Sequence, residues 1–273
     1  MSRSWSVWVL AAFSLLALPA LAKRDHLTVD EVLDKNIQAV GAPERIAAIQ
    51  TLVARGSEEV STTSGLKDTR AVETYYKAPN RRAVRIQSKE RGLERYFGCD
   101  GTEVWRYSRR FHTVRDWPIN PVYQHECVAL DLFPIPLRAL KAELKVLYDE
   151  KVRGRRVFVI LAKIPRDPWR LTYYVDLEKD SFVSAGQGGD KVELAYFVDA
   201  ETFLLLRIES GNTIPRGRWD FDDYRDVHGV KIPFREVYET SESRTVTTIQ
   251  DLQVNVPIED NLLRKPTVAP KGK

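Results

Sequence analysis

Arg218-Trp-Asp-Phe-Asp-Asp-Tyr-Arg-Asp-Val-His-Gly-Val-Lys-Ile-Pro-Phe234 reads as two aromatic-rich strands around a short polar turn. Trp219 and Phe221 fall on one face at period two, and Arg218, Asp220 and Asp222 fall on the other. The turn Arg225-Asp-Val-His-Gly229 ends in a glycine, which supplies the positive φ that closes a hairpin. Asn255-Val-Pro-Ile258 and Lys265-Pro266 follow in the tail. This is the pattern of a wide, curved antiparallel sheet, and it holds no reaction centre.

The same alternation extends upstream. Segments near 51–62, 68–78, 81–89, 92–98 and 102–108 are β-branched or aromatic, with turn residues between them. In 82–87, Val84 and Ile86 share one face and Arg85 and Gln87 the other, so one face of the sheet is buried and the other wet. Further strands are expected at 145–152, 155–164, 202–210, 213–224, 230–240 and 244–255, for a total of about eleven. Tyr173-Tyr-Val-Asp176 and Tyr196-Phe-Val-Asp199 share a strand-to-turn pattern in which Asp opens the turn. Residues 165–190 read as an extra hairpin.

Helices are few. Thr28-Val-Asp-Glu31 is a capping box; Val29, Val32, Leu33, Ile37 and Val40 keep helical period behind it, and Gly41 stops the run. Pro43 begins a second short helix. Between Asp116 and Leu147 the strand pattern breaks. Pro118, Pro121, Pro134 and Pro136 interrupt it, and Leu137, Leu140, Leu144 and Leu147 form a narrow apolar stripe, although Leu144 also suits the start of the next strand. Short helices inserted between strands must lie across the sheet, so this segment is expected to be a lid carrying Val128, Leu132, Leu137 and Leu140.

The chain opens with Arg3, an apolar run from Trp5 to Leu18, and Pro19 before Ala20-Leu-Ala22. That is the pattern of a cleavable export signal, with cleavage expected after Ala22; an uncleaved anchor is the alternative. Residues 23–264 are then expected to form one domain, and residues 265–273 a flexible tail. Lys and Arg number 42 against 38 Asp and Glu, a net charge of +4 that is too weak and too dispersed for nucleic acid. The doublets Arg81-Arg82, Arg109-Arg110 and Arg155-Arg156 read as solvated strand ends, or alternatively as contacts to an anionic surface. Cys99 and Cys127 are the two cysteines. An exported protein favours pairing them, which would add about 3 kcal/mol in the chain-entropy model; two buried thiols are the alternative.

No nucleophile elbow, P-loop or dinucleotide fingerprint occurs. His125-Glu-Cys127 lacks the spacing of a metal motif, so no metal or cofactor is expected. Glu58-Glu59 and Asp222-Asp223 place neighbouring carboxylates on opposite faces, which leaves a hydrolase built from separate strands as the weakest reading. Aromatic and aliphatic residues are the abundant resource. Val84, Ile86, Trp105, Tyr107, Tyr174, Tyr196, Trp219 and Phe221 either pack the core or line an apolar cavity. Such a cavity suits an acyl chain, at about 0.8 kcal/mol for each methylene buried.

Several of these pieces resemble one family. Leu27-Thr-Val-Asp-Glu-Val-Leu33 with Gln38-Ala-Val-Gly41, Asp100-Gly101 before Trp105, and Tyr196-Phe-Val-Asp199 with Leu204-Leu205 are similar to elements of the LolA/LolB-like outer-membrane lipoprotein-sorting proteins. So are Phe221-Asp-Asp-Tyr224 with Gly229-Val-Lys-Ile-Pro-Phe234, and Val254-Asn255 with Pro257. The resemblance implies a mainly β fold, a half-open β-barrel of about eleven antiparallel strands with helices over its concave face. It also implies a non-catalytic, monomeric periplasmic carrier for lipid or lipoprotein acyl chains, loaded by an inner-membrane transporter and unloaded at an outer-membrane acceptor. The chain is longer than compact members of that group, and no single arginine matches the one that tethers their lid. Lipoprotein, phospholipid, hopanoid-like lipid and glycolipid all stay open as cargo. A non-catalytic envelope assembly module, its cavity filled by its own side chains, is the second reading.

Overall fold

In a computed structural model, residues 26–101, 103–108, 113–118, 137, 142–165, 172–176, 181–185, 191–211 and 216–265 are described. The export signal, Arg109-Arg110, the run His125-Glu-Cys127, the lid positions Val128, Leu132 and Leu140, and residues 266–273 lie outside them, as does the side chain of Tyr174. Two helices, α1 (Val29–Val40) and α2 (Pro43–Ala47), open the described chain. The strands before the proline-rich segment are β1 (Thr51–Thr62), β2 (Lys67–Lys77), β3 (Arg81–Ser88), β4 (Leu93–Cys99), β5 (Glu103–Ser108) and β6 (Thr113–Pro118). After it come β7 (Glu143–Val152), β8 (Arg155–Pro165), β9 (Thr172–Asp176), β10 (Ser181–Ala185) and β11 (Lys191–Asp199). Then follow β12 (Leu205–Ser210), β13 (Arg218–Val227), β14 (Val230–Glu239), β15 (Ser243–Val254) and a 3-10 turn, Asp260–Leu263.

Thirteen strands form one open antiparallel sheet in the order β6-β5-β4-β3-β2-β1-β15-β14-β13-β12-β11-β8-β7. The first and last strands in sequence meet near its middle, and β9 with β10 forms a separate two-stranded ribbon. The count exceeds the expected eleven because β6 and β11 join the main sheet. The ribbon occupies the stretch 165–190 read as an extra hairpin, and both Tyr-aromatic-Val-Asp runs end a strand at their Asp. Asp199 Oδ1 accepts hydrogen bonds from the backbone N–H of Glu201 and of Thr202 at 3.0 and 2.7 Å, which forms the turn.

Two expectations need correction. Leu144 and Leu147 belong to β7 and not to a helical stripe with Leu137. There Leu144 and Val146 stand opposite Ala162 and Ile160, so strand alternation wins over the coincidental helical spacing. The hairpin turn is also tighter than its sequence suggested. Val227 pairs with Val230, leaving His228-Gly229 as a two-residue loop with φ of 54° and 83°. Two positive φ values are the requirement of a type I′ turn, whose twist matches the flanking strands.

One row of directly opposed residues shows how the sheet is sided. Val146, Ile160, Tyr196, Ile208, Trp219, Tyr238, Thr245, Val60 and Asp68 face one another in sequence from β7 to β2. The helices cover this inner face. Val32 and Leu33 of α1 pack with Ile160, Tyr196, Val198 and Phe221, while Val40 packs with Leu52, Tyr76, Ile232 and Phe234. Asn36 is buried and donates to the Phe203 carbonyl at 2.7 Å, tying α1 to the β11–β12 turn. The outer face carries Val53, Tyr75, Ala83 and Trp105, covered by Leu263, with Val256, Ile258 and Leu262 packed alongside.

The start of α1 forms as its sequence requires. Thr28 Oγ1 accepts from the Glu31 N–H at 3.3 Å, and Glu31 Oε2 accepts from the Thr28 N–H at 2.7 Å. The bond from the Thr28 backbone, followed by that from its hydroxyl, holds the Glu31 carboxyl below the usual glutamate range. Thr28→Ala is expected to cost about 1 kcal/mol, the ordinary value of a lost N-cap, measured as a lower urea midpoint at unchanged slope.

Candidate ligand-binding face

The inner face changes character from one end of the sheet to the other. Over β8, β11 and β13 it is an apolar wall sealed by α1: Ile160, Tyr196 and Phe221 are 0%, 3% and 4% exposed. Burial pushes the Tyr196 hydroxyl far above its ordinary pKa. Trp219 is only partly buried and stacks on Tyr238, its cross-strand partner, with ring centroids 4.6 Å apart. Toward the middle of the sheet the wall opens into a small depression of about 50 Å³, lined among others by Ala54, Val72, Phe234, Glu236, Thr247 and Ile249.

Beyond the depression, charged side chains occupy positions where the strand period demands inner-face residues. Glu236 stands opposite Thr247, Thr247 opposite Glu58, and Glu58 opposite Arg70. Arg70 is 1% exposed and donates from Nε to Asp68 Oδ2 at 2.6 Å and from Nη1 to Glu58 Oε2 at 3.4 Å. Asp68 Oδ1 accepts from the Ser88 hydroxyl at 2.7 Å. Arg95, 5% exposed, lies opposite Ile86 on the same face. Burial, opposed by the charges of Arg70 and Arg95, pushes the Glu58 carboxyl up. Burial acts on Asp68 in the same direction, but the hydrogen bonds from Arg70 and Ser88 and the charges of Arg70 and Arg91 outweigh it and hold that carboxyl low.

Among the residues singled out from sequence, Val84, Ile86, Tyr196, Trp219 and Phe221 share the inner face. Val84 and Ile86 pack with Leu93, Val72 and Phe97. Trp105 and Tyr107 do not join them, which corrects their assignment to the same wall. Trp105 stands opposite Gly98, which stands opposite Ala83, and Ala83 opposite Tyr75, a row on the outer face. Tyr107 stands opposite Tyr96 with ring centroids 6.1 Å apart, two residues along the strand on that same side. Leu137 is fully buried in the α1 core. Cys99 is buried and disulfide-bonded, and its place in β4 puts it on the inner face beside Val104 and Arg82. Of the arginine doublets, Arg81 bonds Asp260 at 3.3 Å and Arg155 bonds Asp199 at 2.7 Å, so each is engaged at its own strand end.

Glu58, Asp68, Arg70 and Arg95 were missed by sequence reasoning, and the signal was present. Leu52, Ala54, Gly56, Glu58 and Val60 lie at period two, as do Asp68, Arg70, Val72, Thr74 and Tyr76, and Leu93, Arg95 and Phe97. Each run carries its charge in phase with its apolar residues, which marks a buried charge.

No protein-family model matches the sequence, and no curated protein is similar to it. Solved structures are. A LolA superfamily protein from Nitrosomonas europaea is 11% identical, with a TM-score of 0.54 over 88% of this chain and 98% of that one. A DUF1329 family protein from Desulfovibrio piger is 15% identical, with a TM-score of 0.55 over 86% and 97%. A candidate outer membrane lipoprotein-sorting protein domain from Vibrio parahaemolyticus is 15% identical, with a TM-score of 0.52 over 85% and 100%. With its open antiparallel sheet and helix-covered inner face, the chain has the LolA/LolB-like fold.

Proposed function

We propose that the chain is a non-catalytic periplasmic carrier, exported by a leader cleaved after Ala22, that holds acyl chains of a lipid or lipoprotein on its inner face. It moves them across the envelope toward the outer membrane, between an inner-membrane donor and an outer-membrane acceptor. The carrying observation is an apolar depression left open in the middle of the inner face beside a wall of buried apolar side chains. Hydrophobic shape is all that such a site needs: each methylene it buries contributes about 0.8 kcal/mol, and no catalytic group is required. Trp219 is the aromatic contact on this face, with Val84 and Ile86 beyond the depression, and Val128, Leu132, Leu137 and Leu140 form the cover. Cys99, on the inner side of β4, bonds Cys127 and staples that cover to the sheet.

Gently purified protein examined by native mass spectrometry is expected to carry a co-purifying apolar ligand, or to take up fatty-acyl probes when stripped. Clean apo protein that also rejects such probes overturns the carrier reading, and stable capture of a membrane partner by that same protein favours an assembly module. One observation favours the hydrolytic alternative: the environments of Glu58 and Asp68 push their carboxyls in opposite directions, as an acid–base pair requires. Both nevertheless accept hydrogen bonds from a single arginine, so they serve that cation and not a reacting atom between them.

A further inference from the structure

We infer that Arg70 forms a headgroup subsite beside the acyl-binding depression, built to take an anionic oxygen, phosphate or carboxylate, carried on the end of an apolar chain. The inference rests on the carrier reading and adds to it a preference for charge. Arg70 is 1% exposed, and its guanidinium has five N–H donors in a rigid fork. Nε is taken by Asp68 and Nη1 by Glu58, whereas Nη2 is buried with no hydrogen-bond partner. A buried donor left unmade is costly, most of all on a charged group, so an acceptor that reaches Nη2 gains more there than at a donor already paired. The planar fork suits a phosphate or carboxylate oxygen better than a hydroxyl, because the bond is then charge-assisted.

Position supports the same assignment. The depression is lined by Val72, two residues along β2 from Arg70, and by Thr247, directly opposite Glu58. From Glu236 to Arg70 the row crosses three strand spacings, about 14 Å. An acyl chain lying along Ala54, Val72, Phe234 and Ile249 therefore runs beside this row, with the Arg70 cation at its β2 end and Glu236 at its β14 end. Arg95, on the same face, adds a second positive charge, and burial drives Glu58 toward its neutral form. The balance around Nη2 thus favours an anion.

The test compares hexadecyl phosphate with hexadecanol, two probes of equal chain length, by displacement of a fluorescent fatty-acyl reporter from the full mature protein. The unaltered protein is expected to bind the phosphate about tenfold more tightly, the factor that one charge-assisted hydrogen bond supplies. Arg70→Lys keeps the charge but loses the fork and is expected to bring that ratio close to one. Glu58→Gln removes a competing carboxylate and is expected to raise it, so the two variants move in opposite directions and a general folding defect cannot imitate both. Arg85→Lys, an arginine on the outer face, keeps the ratio of the unaltered protein. Equal binding of both probes, or a preference that survives Arg70→Lys, overturns the headgroup subsite while the carrier reading stands. Failure of both probes to bind overturns both readings. Binding of inorganic phosphate alone as tightly as hexadecyl phosphate replaces the headgroup assignment with a free-anion site.

Discussion

Trp105→Ala is expected to cost about 3–5 kcal/mol of stability, the range for deleting a buried aromatic ring, and to leave acyl capture as it is in the unaltered protein. Trp105 is fully buried, the largest side chain in that state among the described residues, and sits between β4 and the C-terminal segment. Its ring lies over Gly98, its cross-strand partner: a Cβ at that glycine would meet the ring at 2.7 Å and the Arg82 carbonyl oxygen at 2.4 Å. The pair is thus one packing unit, in which the absent side chain of Gly98 makes room for the indole. Gly98→Ala is expected to destabilise as well, and the double variant to be less costly than the two single losses added, because removing the ring relieves one of the two clashes. The Trp105 indole N–H has no hydrogen-bond partner among the described residues. Trp105→Phe therefore sheds a buried unpaired donor and is expected to lose less than its change in volume alone implies. Urea denaturation gives these differences directly. Acyl-probe binding by the folded variants separates the faces: Trp219→Ala on the inner face is expected to weaken capture, while Trp105→Ala on the outer face is not. Equal loss of capture in both variants removes Trp219 from the ligand site.

Period two carried most of the fold. The hairpin of β13 and β14, the capping box of α1 and the meander from β1 to β5 all follow from local rules, in which side-chain alternation, a positive-φ turn and an N-cap each act within a few residues. What failed was global. Whether Trp105 faces the helices depends on how β4, β3, β2 and β1 stack register upon register, and a wide sheet with two apolar faces gives no sign in one strand of which face the helices will choose. The outer face hides its aromatics only because the chain returns as Val256, Ile258, Leu262 and Leu263 to cover them. Leu144 and Leu147 misled because three-residue and four-residue spacings arise by chance: in β7 the two fall on opposite faces, Leu144 against the α1 core and Leu147 with Val159. The charged cluster was legible in principle. It was passed over because Glu58 was weighed against its neighbour Glu59 and not against Gly56 and Val60, which share its face.

Arg70→Met is expected to cost about 3–5 kcal/mol, the penalty for removing one partner of a buried ionic group, because it strands two carboxylates. Asp68, whose side chain is fully buried, and Glu58, at 14% exposure, both depend on that guanidinium. The two acids are then separable by pH, since their pKa values are displaced in opposite directions. Asp68 is held below its ordinary value in the folded protein, so its contribution is complete above about 3.9, the unfolded value, and is lost as pH falls toward the folded one. Asp68→Asn is therefore expected to be most destabilising at neutral pH, with the difference from the unaltered protein shrinking in acid. Glu58 is displaced upward. The fold binds its proton more tightly than the unfolded chain does, so stability declines as pH rises from about 4.3 through the raised value. Glu58→Gln mimics the neutral form and is expected to be more stable than the unaltered protein at neutral pH, with the advantage vanishing below about 4.3. Urea midpoints for both variants between pH 3 and 8 are the measurement, and two difference curves of the same sign overturn the assignment. If the signs are opposite, Asp68 is the fixed counter-charge of Arg70, while Glu58 is the partner that yields by taking up a proton. An arginine held by one permanent and one releasable carboxylate is the arrangement that an incoming anionic headgroup requires.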